Sequence, residues 1–111
     1  MAVTYKVLGQ AAPSTTSNVD LYIVPTATSA VVSTLTITNV NGAASLCRVY
    51  VRQSGATAAA SNALVYDAYI QANDFNPITV GLTLAATDII TVQTGTANAL
   101  TFQLFGSEIT A

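Results

Sequence analysis

Residues 31–38 read Val-Val-Ser-Thr-Leu-Thr-Ile-Thr, and residues 46–53 read Leu-Cys-Arg-Val-Tyr-Val-Arg-Gln. Both alternate apolar with polar side chains. A period of two marks a strand with one buried face, and the β-branched residues suit a pleated surface. In the first stretch Val31, Leu35 and Ile37 are assigned to one face, and Thr34, Thr36 and Thr38 to the other. Asn41-Gly42 lies between the stretches and supplies turn chemistry. The two stretches are therefore expected to pair as antiparallel neighbours.

The same texture recurs outward from this pair. Strands are expected over Val3–Leu8, Asp20–Val24, Leu64–Ile70, Ile78–Leu84, Ile89–Thr94 and Leu100–Phe105. Loops are expected from Ala11 to Asn18, which contains Pro13 and a run of Ser, Thr and Asn, and from Ser54 to Asn62, which is rich in alanine. Pro77 excludes the interior of a central strand at that point. Ile78, Val80, Leu82 and Leu84 are placed on one face, and Gly81 among them suggests a bulge or a close backbone approach. Eight short strands without an amphipathic helix predict one domain over residues 1–111. Its fold class is all-β: a two-sheet antiparallel β-sandwich, jelly-roll-like, with an immunoglobulin-like sandwich as the alternative. The strand count and the absence of a Cys–Trp–Cys pattern favour the jelly roll.

Composition restricts function. Apolar residues make up 51% of the 111 residues and charged residues 7%, against about 25% charged in an ordinary soluble domain. Lys6, Arg48 and Arg52 are the only basic residues, against five acidic ones, for a net charge of −2. Three cations cannot track a run of phosphates, so nucleic acid is not an expected partner. An anionic membrane surface is not expected either. A surface this poor in charge suits a subunit covered by neighbours. A homo-oligomer is therefore expected, with a trimer favoured. One cysteine permits no internal disulfide, no apolar run is long enough to span a bilayer, and no secretion signal is read at Met1–Gln10.

The chain is poor in reactive groups. Histidine is absent, which removes the commonest general base and metal ligand. No zinc site of ordinary ligands and no Ser-His-Asp set can be assembled. No catalytic residue, cofactor or metal is assigned, and the protein is expected not to be an enzyme. Cys47 is in phase with Val49 and Val51 and is assigned to the core as an inert thiol. Asp20, Asp74 and Asp88 sit at strand ends or turns, where aspartate commonly bonds its own backbone. Asp74 with Asn73 and Asn76 lacks the carboxylate spacing of a calcium loop. Tyr66, Tyr69 and Phe75 offer aromatic area for a sugar, but packing in the core or at a sheet edge is the preferred assignment.

One row stands out. Arg48, Tyr50 and Arg52 alternate with Cys47, Val49 and Val51. If the latter face inward, two of the three cations flank an exposed tyrosine. Arg and Tyr are enriched at protein interfaces, so Arg48, Tyr50 and Arg52 are the candidate contact strip. The competing assignment is a solvated face with internal pairing, for instance to Asp67. The apolar run Val3–Leu8 is a second surface that could join a contact.

Four phrases carry a family resemblance: MAVTYKVLGQAAPS at the start, VVSTLTITN followed by CRVYVRQSGA, GLTLAATDIITV, and FGSEIT near the end. Taken together the chain resembles small virion proteins of tailed bacteriophages, notably those of cyanobacteria. The resemblance is one of texture across nearly the whole chain and carries no active-site motif. It implies a virion component made in the host cytoplasm, with the major capsid protein among its partners. Capsid decoration is the role it favours. A tail, neck, baseplate or fibre station, and a carbohydrate-binding module for host attachment, are the alternatives.

Overall fold

The computed structural model describes residues 1–110, with the side chain of Val80 outside the description. Eight strands follow in order: β1 (Ala2–Ala11), β2 (Val19–Ile23), β3 (Thr28–Asn39), β4 (Ser45–Arg52), β5 (Ala63–Ile70), β6 (Phe75–Leu84), β7 (Ile89–Thr94) and β8 (Leu100–Thr110). One sheet has the order β1-β8-β3-β6, the other β2-β7-β4-β5. The pairs β1·β8, β2·β7, β3·β6 and β4·β5 are all antiparallel. They nest like the two arms of one long hairpin whose tip is β4–β5. Rolling that hairpin up adds β3·β8 and β4·β7. This is the jelly roll, and the immunoglobulin-like alternative does not have this pairing order.

The core forms where the two inner faces meet. Leu100, Phe102 and Leu104 of β8, Leu35 and Ile37 of β3, Cys47 and Val49 of β4, and Ile90 and Val92 of β7 are buried together. Each set obeys the period of two, so burial rather than intrinsic propensity sets the register. The Val80 part of the predicted β6 face lies outside the described residues; Ile78 and Leu82 pack partly against the core, and Leu84 is buried.

The predicted face of β3 requires correction. Val31 points outward, and Ala30 and Val32 take the inward positions. The cause is an irregularity at Ser33, where the pairing with both β6 and β8 skips one residue. An extra residue on one strand inverts the parity of everything before it. The Ser33 hydroxyl donates to the Phe105 carbonyl at this point. On β6 the same step spans Val80 and Gly81, so the expected disturbance at Gly81 is a bulge. β6 begins at Phe75 and carries Pro77 on the edge of its sheet, where a missing N–H is tolerated.

Close backbone approach occurs instead at Gly9 and Gly106. A Cβ at Gly9 would collide with the Leu21 carbonyl, and one at Gly106 with the Val31 carbonyl. The alanine-rich connection holds two short 3-10 turns, Gln53–Gly55 and Ala60–Asn62, so Gln53 leaves the predicted fourth strand. Ser54 and Gly55 both adopt positive φ there, 53° and 76°.

Candidate functional site

Strand β4 lies second from the edge of its sheet, between β7 and β5. Its inward residues behave as expected. Cys47 is 1% exposed. Burial, with a smaller contribution from the Asp67 charge, pushes its thiol up to about 11. A thiol so held is protonated and inaccessible at neutral pH.

The outward row differs from expectation at its centre. Tyr50 is 4% exposed, not a free tyrosine. Arg48 and Arg52 flank it, and both are committed within the chain. The Arg48 guanidinium grips Asp67 with two hydrogen bonds, Nε–Oδ1 at 2.6 Å and Nη2–Oδ2 at 3.1 Å. Its third donor reaches the Tyr50 hydroxyl at 3.5 Å. The cation also lies 4.1 Å from the centre of the Tyr66 ring, a favourable cation–π geometry. This fork holds the Asp67 carboxyl below the usual carboxylate range and keeps Arg48 firmly protonated. Pairing to Asp67 was the competing assignment for this row, and it is the arrangement present.

Arg52 turns toward the alanine-rich connection. It donates to the carbonyls of Ala56 at 2.7 Å and Gly55 at 3.2 Å, and to Asp20 Oδ1 and the Thr91 hydroxyl, both at 3.2 Å. Thr91 donates in turn to Asp20 at 2.9 Å. Asp20 is therefore a partner of Arg52 and Thr91 rather than of its own backbone, which corrects its assignment as a self-bonding turn residue. Asp74 bonds local backbone, and Asp88 bonds one local N–H and one from the distant alanine-rich connection. Asp74 accepts from the Phe75 N–H, and Asp88 accepts from Ala85 and Ser54 N–H groups.

The aromatic residues assigned to packing stand in solvent. Tyr66 is 50% exposed, Tyr69 67% and Phe75 60%. Tyr66 and Tyr69 both lie on β5, an edge strand, opposite Arg48 and Leu46. Strict alternation would put Tyr66 and Tyr69 on opposite faces. Asp67, with φ of 56°, sits at a register shift and brings both outward while Ala68 packs inward. No motif in the sequence announces that bulge. The resulting face carries two exposed tyrosines and an arginine whose charge is neutralised internally. Beside it lies a depression of about 160 Å³ lined by Leu46, Cys47, Arg48, Asp67, Gln93 and Gly95. That is smaller than the roughly 300 Å³ at which small-molecule pockets begin. Among the described residues no group of three or more His, Cys, Asp or Glu comes together to hold a metal ion.

No protein-family model matches the chain, and no curated protein matches it. Among solved structures, the chain is similar to one in the structure of infectious bursal disease virus Gx strain, at 15% identity and a TM-score of 0.47, over 96% of this chain and 31% of that one. The corresponding chain of the Gt strain gives 13% identity and a TM-score of 0.47, over 96% and 32%. The chain thus spans about a third of the length of these solved chains.

Proposed function

We propose that this chain is a non-enzymatic structural component of a tailed-phage particle, a decoration protein that binds the assembled shell through its major capsid protein. The observation that carries the reading is the outer face of β4–β5. Tyr66 and Tyr69 are exposed on an ordered edge strand, and Arg48 is stacked on Tyr66 and forked to Asp67. Tyrosines present large apolar area with a polar tip and lose little rotamer freedom on binding. A neutralised arginine adds contact area without an unpaired charge to desolvate. Such a face is suited to another protein surface. The phrase-level resemblance to phage virion proteins supplies the kind of partner.

The mechanism is mass action. A protein that binds the assembled shell, and not its separated subunits, stabilises the shell in proportion to the logarithm of its free concentration over its Kd. Within the initial strip, Arg48 becomes the contact residue, with the Tyr50 hydroxyl beside it, while Arg52 is committed to Asp20, Thr91 and the alanine-rich connection.

The test uses particles lacking the chain, re-decorated with purified protein. Wild type should bind and raise the temperature of genome release. Tyr66→Ala with Tyr69→Ala should keep the fold and lose most of the binding. Particles that lack the chain yet keep full thermal stability would overturn the decoration reading. The same exposed tyrosines also favour a second reading, a carbohydrate-binding face for host attachment. Retention on host polysaccharide, abolished by the same tyrosine pair and without effect on particle stability, would select it.

A further inference from the structure

We infer that β1 pairs with β1 of a second copy across a twofold axis, joining two four-stranded sheets into one of eight. The sandwich has four edge strands, β1 and β6 in one sheet and β2 and β5 in the other. Proteins protect such edges, because a row of unpaired N–H and C=O groups is a template for another strand. Three of the four edges are blunted. β2 has only five residues. β5 is broken by two register shifts and the positive φ of Asp67. β6 carries Pro77 and an irregularity in its middle.

β1 has none of these devices over Ala2–Val7. That segment pairs with β8 residue for residue, from Ala2 opposite Thr110 to Val7 opposite Phe105, before its first irregularity. It contains no proline. Its one charge, Lys6, lies 3.2 Å from Glu108 of the same chain. Two copies can therefore approach without like-charge repulsion, which is where an edge lysine would normally act as a guard. Among the described residues no strand occupies the outer edge of β1.

The side chains specify the register. Val3, Tyr5 and Val7 share the outward face, and Tyr5 is 85% exposed. Two antiparallel copies keep this row on one face only if the paired positions have the same parity. Centring the axis on Tyr5 sets Tyr5 against Tyr5, and Val3 against Val7 of the other copy. The exposed row then runs continuously across the joint and onto Val31, the residue that the Ser33 bulge turned outward. One aromatic ring offers about 150–250 Å². A strip of this kind falls toward the small end of the roughly 800 Å² per partner of standard interfaces. The association is accordingly weak, with a Kd on the order of micromolar. It gives a dimer in place of the trimer expected from composition, and it does not depend on what the tyrosine face of β5 binds.

Two measurements on purified full-length protein test this. Light scattering across roughly 1–500 µM, spanning the expected affinity, should show a monomer–dimer equilibrium. Val3→Lys with Tyr5→Lys should shift it at least tenfold toward monomer, with the circular dichroism spectrum unchanged. Tyr5→Cys should form a disulfide-linked dimer under mild oxidation, because residues facing across the axis have Cβ atoms about 4.5–5.5 Å apart. Phe75→Cys, exposed on a different edge, should not. The cross-linking result decides the matter should the lysine variant fail to fold. A protein that stays monomeric at the highest concentration, a trimer, or equal cross-linking at positions 5 and 75 would overturn the inference.

Discussion

Asn39 ends β3 and is 1% exposed. Its amide joins three segments that are distant along the chain or turn sharply. Nδ2 donates to the carbonyls of Ala43 and Ile70, both at 2.9 Å, and Oδ1 accepts from the Asn41 N–H at 2.8 Å. The side chain thus closes the Asn41-Gly42 turn and ties it to the end of β5. Replacing it with alanine removes three hydrogen bonds worth about 1 kcal/mol each. The Ile70 carbonyl also loses a partner in this buried contact, which costs up to about 1–2 kcal/mol more. The expected loss is about 3–5 kcal/mol, a large part of the roughly 5–15 kcal/mol that holds a domain folded. With a urea m-value of about 1.5 kcal/mol/M, the unfolding midpoint should fall by about 2–3 M at unchanged slope. Melts at protein concentrations well below the expected dimer Kd keep self-association out of the measurement. Asn39→Asp is the sharper probe, because it keeps the shape and turns the two donors into a carboxylate oxygen facing two carbonyls. That carboxyl should have a raised folded pKa, so the defect should be worst at neutral pH and shrink as acid protonates it. A loss below about 1 kcal/mol for Asn39→Ala, a small fraction of what three buried hydrogen bonds carry, would refute the reasoning, as would an aspartate variant indifferent to pH.

Gly106→Ala should destabilise severely, because the new methyl meets the Val31 carbonyl in the centre of a sheet where backbone must move; Gly42→Ala, with open space around it, is the matched control in the same melts. Cys47 should react with a thiol reagent far more slowly in native protein than in urea, since it is 1% exposed and its thiol is pushed up to about 11; fast native labelling would reverse the face assignment of β4. Glu108 is held below the ordinary glutamate range, first by the Tyr22 hydroxyl at 2.6 Å and then by Lys6. A lowered folded pKa means that its contribution is present at neutral pH and lost as pH falls through that value. Glu108→Gln should therefore lower stability at neutral pH and flatten its decline in acid, as read by melting temperature across pH 2–7.

Alternation in β3, β4, β7 and β8 depends only on which residues avoid water, and water is the same everywhere along a chain. Leu35, Ile37, Cys47 and Val49 were therefore legible as core without knowledge of their partners. The exclusion of Pro77 from a central strand was also legible, since its missing N–H is a property of the residue itself; that its strand begins at Phe75 and lies at the sheet edge was not.

Parity fails where pairing inserts a residue. Ser33 turned Val31 outward, and Asp67 brought Tyr66 and Tyr69 to the same side. A bulge answers to the twist and closure of the whole sheet, and no local residue preference records it. Tyr50 was misplaced for a related reason. Its burial depends on Arg48 and on the strands that pair on either side of it, at Ala63 and Thr91, which alternation along one strand cannot weigh. The choice of jelly roll over its alternative was likewise tertiary. Both folds are built from strands of this kind, and only the pairing order, β1-β8-β3-β6 in one sheet and β2-β7-β4-β5 in the other, separates them. Which stretches alternate, and which residues between bulges avoid water, follows from local free energies that the sequence determined on its own. The neighbours of each strand, the direction of each bulge and the edge left open at β1 are properties of the closed sandwich.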